Sequence, residues 1–413
     1  MSPVRWAYRL DAAAPQRSPR GQAAAWSALK AGFVTESALD RLGGPPVAGL
    51  LLQLDRNGHL ERELRLASRA WARVRPLRPP AAMPPIPTLG SRLQLQNGVL
   101  LHTGPEGVTL EAPGAWAQMQ VLEPALMALV QLLARGCSLA LVQKQLPQAP
   151  ELATHWVQAL DWCGLLARPD SHTWPVHERL FHSRTRRGFS REPVGRQGTP
   201  GQHLPLPTGP RHALPRGRAA DLQMSLAQTL EQRQSRRNHA ASELPVADLG
   251  RFLWHSLAEQ VLEGLPHRPY PSGGRCYALR AYLAVSRCAG LCAGLYAYDA
   301  QAHELVHVAE SSDGQHRLLQ DAAASAQCST TPQVLMVLCA DLSRERQAYG
   351  DLSYSLLMKE VGALMQTAQQ VATALGLACC PLGTGDSLQF AAVSHTDPMT
   401  LPSVGELLLG APA

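Results

Sequence analysis

Apolar and polar positions change their rhythm several times along the chain, and each change marks an element. AAAWSALKAG and TESALDRLG, in the first eighty residues, carry the three-to-four spacing of amphipathic helices, and GHLERELRLA reads as a polar strand. RLQLQNGVLLHTG alternates around Asn97-Gly98, which predicts a hairpin turning there. Three helical patterns follow. Pro124 opens PALMALVQLLARG and Gly136 ends it, Ser138 can cap SLALVQKQL, and PELATHWVQALDWCGLLARP runs to Gly164. Beyond residue 219, DLQMSLAQTLEQRQSRR predicts a helix leading into a basic turn, and ALRAYLAVSR a strand. GLYAYDAQAHELVHVA predicts a hairpin with Tyr296 and Tyr298 on one face, and TPQVLMVLCAD, apolar throughout, a buried central strand. The longest pattern, DLSYSLLMKEVGALMQTAQQVATALGL, predicts a helix of about seven turns with Asp351 as its cap. Its Gly362, Ala363, Ala368 and Ala372 suggest a narrow face for close helix packing in a dimer core.

These patterns give an α+β chain in four zones: a small winged-helix-like module at 1–80, another at 92–170, a linker at 171–218 and a larger domain at 219–413. RPLRPPAAMPPIPTLG separates the first two and reads as a linker, because proline removes backbone donors and disfavours helix. A hairpin with three short helices suggests DNA binding, but the second helix offers only Gln143, Lys144 and Gln145 to a duplex, so no nucleic-acid partner is expected. The net charge of +6 is concentrated: nine arginines lie between Arg179 and Arg218, against Glu178 and Glu192. That stretch reads as an exposed, mobile connector. Nine cysteines lack convergent metal-ligand spacing, so no metal is expected and a reduced, cytoplasmic protein is. No window of 18 uncharged apolar residues occurs and no signal core opens the chain, so no membrane association is expected.

Three segments carry candidate chemistry. Arg233-Gln234-Ser235-Arg236-Arg237, if extended, points residues 233, 235 and 237 to one side, the guanidinium forks and hydroxyl that a phosphate dianion requires. Arg268-Pro269-Tyr270-Pro271-Ser272-Gly273-Gly274 lets backbone approach a planar ligand closely. Pro381-Leu382-Gly383-Thr384-Gly385-Asp386, after the long helix, can present backbone N–H groups to a polar ring edge. Each alone is an ordinary basic or glycine-rich turn.

Their order, with Gly294-Leu295-Tyr296-Ala297-Tyr298-Asp299, Tyr349-Gly350, Glu360-Val361-Gly362 and Ala374-Leu375-Gly376-Leu377 between and after them, resembles the nitroreductase superfamily and, within it, the SagB-type azoline dehydrogenases. The resemblance covers about 219 to 413. It implies a homodimeric domain with a mixed sheet flanked by helices and FMN at the subunit interface. Arg233, Ser235 and Arg237 would hold the phosphate and ribityl chain, and Ser272, Gly273 and Gly274 would lie against the isoalloxazine, the partner's included. Leu382 and Gly383 would face the reactive edge, and Gln366 would line the site. The implied reaction removes two hydrogens from a thiazoline or oxazoline on a ribosomally made precursor peptide, beside cyclodehydratase-type partner enzymes, with the N-terminal modules as peptide clamps. Tyr349 is the acid/base candidate. The family's lysine before that tyrosine is Ala348 here and its histidine after the helix glycine is Ala363; Lys359 is a candidate replacement base, with a solvated Lys359-Glu360 pair as the favoured reading. A non-catalytic scaffold and a small-molecule nitro or quinone reductase stand as alternatives.

Overall fold

The computed structural model describes residues 4–413 except 13, 20, 43–46, 81, 168–173, 187, 190–194 and 197. The chain divides into two units, Met1–Val194 and Gly195–Ala413. Both are α+β.

In the first unit, strands β1 (Val4–Leu10), β2 (Val34–Thr35), β3 (Leu60–Leu66), β4 (Arg69–Pro76), β5 (Leu100–Gly104), β6 (Gly107–Glu111) and β7 (Ala117–Val121) form one antiparallel sheet. Its order is β2-β1-β3-β4-β7-β6-β5. The proline-rich segment therefore does not separate two sheets, because β4 pairs directly with β7. Helices α1 (Ala23–Ala31), α2 (Glu36–Asp40) and α3 (Val47–Arg56) close one core around Trp26, Leu29 and Leu50. Helices α4 (Pro124–Arg135), α5 (Leu139–Gln145) and α6 (Pro150–Cys163) close another around Met119, Leu133 and Trp156. Ser138 caps α5 by accepting from the Leu141 amide at 3.3 Å, as its position predicts. The hairpin turns at Pro105 and Glu106, not at Asn97-Gly98. Arg92 and Leu93 pair instead with Cys137 and Ser138, and Leu95 bridges Leu166, so the residues before Asn97 are already engaged and β5 takes its partner from β6. Helix α7 (Val176–Thr185) comes last in this unit.

The second unit is built on seven strands: β8 (Arg211–Ala213), β9 (Leu279–Val285), β10 (Gly294–Asp299), β11 (Glu304–Glu310), β12 (Val334–Ala340), β13 (Ala378–Leu382) and β14 (Ser403–Gly410). Their order is β8-β11-β10-β9-β12-β14-β13. Every pairing is antiparallel, where a mixed sheet was expected. The apolar run of β12 reports only that both faces are covered, which does not fix strand direction. Helices α8 (Leu226–Gln232), α9 (Val246–Ser256), α10 (Asp313–Ala326), α11 (Leu342–Tyr349), α12 (Ser353–Ala374) and α13 (Ser387–Ser394) complete the unit. Alternate residues of the central strands feed two cores. Leu279, Tyr296, Tyr298 and Met336 pack with α9 and α12, while Tyr282, Leu295 and Val337 pack with α10 and α13.

Three further expectations are corrected. Residues 195–218 are not a free connector. The Gly201 amide donates to the Arg344 carbonyl at 3.0 Å, the Leu204 amide to Asp341 at 2.7 Å, and β8 extends the sheet. Composition concealed this because the proline- and arginine-rich strap docks largely through backbone groups, and its apolar anchors, Leu204 and Leu214, are too widely spaced to make a periodic pattern. Asp351 does not cap α12; it lies in a 3-10 turn before the helix, and Leu352 occupies the cap position. Nor do the small residues of α12 share a face, since Ala368 and Ala372 are buried while Gly362 is exposed.

Asp341, fully buried, anchors the strap through Leu204, Ser343 and Arg280, the last at 3.2 Å. Burial opposes its charge, but the His203, Leu204 and Ser343 bonds and the Arg280 guanidinium hold its carboxyl far below the ordinary range. Asp341→Asn is expected to cost about 1.5–3 kcal/mol at neutral pH by removing the charge-assisted partner of Arg280, which keeps only the Leu204 and Pro205 carbonyls. Because the folded-state value is depressed, this contribution exists above the unfolded value of 3.8 and is lost as pH falls toward the folded one. Urea titrations of both proteins should show the gap closing in acid, with the strap clipped faster by protease in the variant.

Candidate functional site

The basic turn is aimed by the end of α8. Ser225 and Gln228 form a reciprocal capping box at its start, with the Gln228 amide 3.2 Å from Ser225 Oγ. At its other end Arg233 leaves the helix with φ −58 and ψ 120, and the chain runs extended beside β13. The Arg236 amide donates to the Cys379 carbonyl at 3.0 Å. Alternation then sends residues 233 and 235 to the same place on α12. Arg233 donates to Gln369 Oε1 at 3.4 Å, and Ser235 Oγ accepts from Gln369 Nε2 at 3.2 Å. Arg237 is exposed, and its carbonyl accepts from the Cys328 thiol. Among the described residues, neither Arg233 nor Arg237 pairs with a carboxylate. The Arg233 guanidinium, a hydroxyl and an amide so placed fit a phosphate oxygen.

About two turns before Gln369, α12 borders an open space beside β13. This space is a cavity of about 370 Å³ lined by Val361, Met365, Leu382, Gly383 and Glu406, with half-exposed Tyr354 at its rim. A side chain at Gly383 would meet no atom within 4 Å, so the backbone there faces open space. Val361 and Gln369 are eight residues apart, about 12 Å along the helix at 1.5 Å per residue. The two places on one helix offer a cationic contact at one and a cavity with both apolar and polar walls at the other.

The other predicted turn lies elsewhere. Ser272 Oγ donates to Glu360 Oε2 at 2.7 Å and accepts from the Tyr277 amide at 2.8 Å, so its hydroxyl is already committed. Gly274 has φ +58, and a Cβ there would stand 2.6 Å from the Tyr349 hydroxyl, so this position requires glycine. Tyr349 thus packs on the turn. Burial, then Cys276, raise its hydroxyl above its ordinary value. Behind it stand two buried carboxyls. Glu345, fully buried, has both oxygens without a hydrogen-bond partner, and Glu360 has one such oxygen. Burial and the neighbouring Glu360 push Glu345 up to about 8, and burial pushes Glu360 up to about 7.

The predicted residues therefore form two groups. Arg233 and Ser235 meet Gln369 of α12, and Leu382 and Gly383 line the cavity that Val361 and Met365 of the same helix also line, while Ser272, Gly273 and Gly274 share a cluster with Tyr349. Gln369 and Glu360, the helix residues that receive the two groups, differ by nine positions, about 900° or half a turn, which puts them on opposite sides of α12. Gln366 is exposed and belongs to neither group; Gln369 is the glutamine that meets Arg233 and Ser235. Lys359, also exposed, donates to Ser355 Oγ at 2.9 Å, away from Tyr349. Sequence reasoning missed Gln369, Glu345 and Glu406. Ser-Arg-Glu-Arg-Gln around Glu345 has the look of a solvated face, and only the packing of α11 reveals its burial.

A carboxyl raised in the fold binds its proton more tightly there than in the unfolded chain. The stability linked to Glu345 and Glu360 is therefore complete below 4.5 and is lost as pH rises through 7 to 8. Glu345→Gln and Glu360→Gln should melt above the parent at pH 8 and near it at pH 5. Equal pH slopes in all three proteins would show that the carboxyls ionise normally.

Among the described residues no group of three or more His, Cys, Asp or Glu can hold a metal, and no helix is long and apolar enough to cross a membrane. All nine cysteines are free. Residues 230–405 match the nitroreductase family. A Methanocaldococcus jannaschii protein designated a nitroreductase is 27% identical over 161 residues, 39% of this chain and 79% of its own. The Escherichia coli microcin synthetase McbBCD complex, solved with a truncated pro-peptide bound, aligns at 21% identity and a TM-score of 0.38 over 43% of this chain and 67% of that one. A Desulfovibrio desulfuricans nitroreductase in complex with FMN aligns at 16% identity and a TM-score of 0.30 over 46% and 88%.

Proposed function

We propose that the chain is an FMN-dependent oxidoreductase that dehydrogenates thiazoline or oxazoline rings on a precursor peptide, working as a homodimer beside cyclodehydratase-type enzymes. The observation that carries the flavin reading is α12 itself, which meets Arg233 and Ser235 at Gln369, where no described carboxylate pairs with the arginine, and with Val361 and Met365 lines the cavity that the open Gly383 backbone faces. Arg233, Ser235, Arg237 and Gln369 would hold the phosphate, and Leu382, Gly383, Val361 and Met365 the ring system. Bound FMN supplies a two-electron acceptor; the protein supplies orientation and proton handling.

The opposite placement of the two groups supports a composite site. A second copy would bring its own 272–274 turn and Tyr349 against the first copy's cavity. Leu226 and Leu230, on α8, are 69% and 52% exposed, an apolar surface that such a copy would cover. Tyr349 would then exchange a proton with the ring being oxidised.

We read the first unit as two winged-helix-like peptide clamps fused along one sheet. Strand β5 is a free edge of that sheet. Beside it lies an apolar cavity of about 520 Å³ lined by Leu95, Val99, Leu101, Met127 and Val130. An extended peptide can add to such an edge and place alternate side chains in such a cavity.

A small-molecule nitro or quinone reductase is the second reading, favoured by Ala348 and Ala363 at positions where the azoline dehydrogenases carry lysine and histidine. Purified protein incubated with an azoline-bearing peptide decides between them, since azole formation removes two hydrogen atoms per ring and is read by mass spectrometry. Tyr349→Phe should slow that step about 10²- to 10⁴-fold with FMN retained, and unchanged turnover would clear Tyr349 of the acid/base role. Arg233→Ala should weaken FMN about 10- to 100-fold in fluorescence titrations, the range expected for a charge-assisted bond. Met127→Glu should weaken peptide binding at least about tenfold in anisotropy titrations while flavin content stays constant.

A further inference from the structure

The carboxyls behind Tyr349 have no part in holding a phosphate or a ring. Glu345 and Tyr349 are four residues apart on α11, hence on one face of it. Both flank the glycine turn: from a Cβ placed at Gly273, Glu345 Oε1 lies 3.7 Å away and Tyr349 Cε2 3.8 Å. Glu360 reaches the same turn from α12 through Ser272. Among the described residues no cation closes on Glu345. Arg344 spends its guanidinium on the Cys276 and Gly201 carbonyls, Arg268 on Glu259, Tyr270 and the Leu279 carbonyl, and Arg196 on the Gly198 carbonyl. Buried acids left without partners are costly, and such arrangements concentrate at sites that use them.

We propose that Glu345 and Glu360 act as one buried acid pair that controls the protonation of Tyr349, with Glu345 as the positioning residue next to the tyrosine and Glu360 as the one that sets its charge. A carboxyl thus lies one helical turn before the tyrosine on the same face of α11. Two carboxyls this close cannot both ionise at neutral pH, so the pair retains a proton where an exposed pair would not. Ionised Glu345 disfavours the phenolate and keeps the hydroxyl a donor. The groups facing the pair are Cys276 and Tyr270 from the segment around the turn, Arg268 before it, Arg344 on α11, and Arg196 from the strap.

This inference rests on Tyr349 being the acid/base of the proposed reaction, but its first test needs no turnover. Phenol absorbance titrations of the full chain, with Tyr349→Phe subtracted, isolate the Tyr349 hydroxyl. In Glu345→Gln the hydroxyl should titrate at lower pH than in the parent. Glu345→Leu, which removes the charge in a different shape, guards against a folding defect in the first variant and should shift it the same way. An unmoved titration in a folded variant overturns the proposal. In turnover with an azoline peptide, the limb near pH 8 should vanish in Glu345→Gln, return in Glu345→Asp and move to lower pH in Glu360→Gln; a limb indifferent to all three also overturns it. A shifted tyrosine together with full turnover by Tyr349→Phe would leave the pair standing and refute the catalytic reading of Tyr349.

Discussion

Everything in the second unit is arranged around how α12 can lie on an antiparallel sheet. Its inner face, with Leu357, Leu364, Ala368 and Ala372, is committed to the core shared with β9 and β12. Two flanks remain. One receives the basic turn at Gln369, and the other receives the glycine turn at Glu360. A helix has one curvature and one axis, so both groups are placed by the same seating. A shift of α12 along its axis would move both.

That constraint explains the electrostatics. The flank toward β13 carries positive charge that no described carboxylate cancels, while the flank toward α11 carries buried acids that no described cation cancels. Each imbalance would be a liability in an inert protein. On opposite sides of one helix, the two imbalances are the features on which the proposed ligand and proton-exchange sites rest.

Much of the second unit was legible because its patterns have one physical reading. An uninterrupted apolar run such as Val334–Ala340 must be buried, and residues 233 and 235 must share a side once the chain is extended. Periodicity does not carry the information that stayed hidden. Strand direction leaves no mark when both faces are covered. A strap held by backbone bonds looks like a linker, and Asn97-Gly98 satisfies the turn rules while its flanking residues are engaged elsewhere. Gln369 in place of Gln366 is a matter of rotation: three residues along a helix is about 300°, enough to pass from the outer face to the flank that meets Ser235.

The strap has a practical bearing on where the molecule can be divided. A cut at residue 219, where composition changes, would remove the β8 strand and leave β11 as a bare edge with seven unshielded residues. It would also empty the amide position that faces Asp341, leaving that acid and Arg280 at the bottom of an open trench. A truncated half made that way would invite edge-to-edge aggregation, whereas one that begins at Gly195 keeps its own hem sewn in.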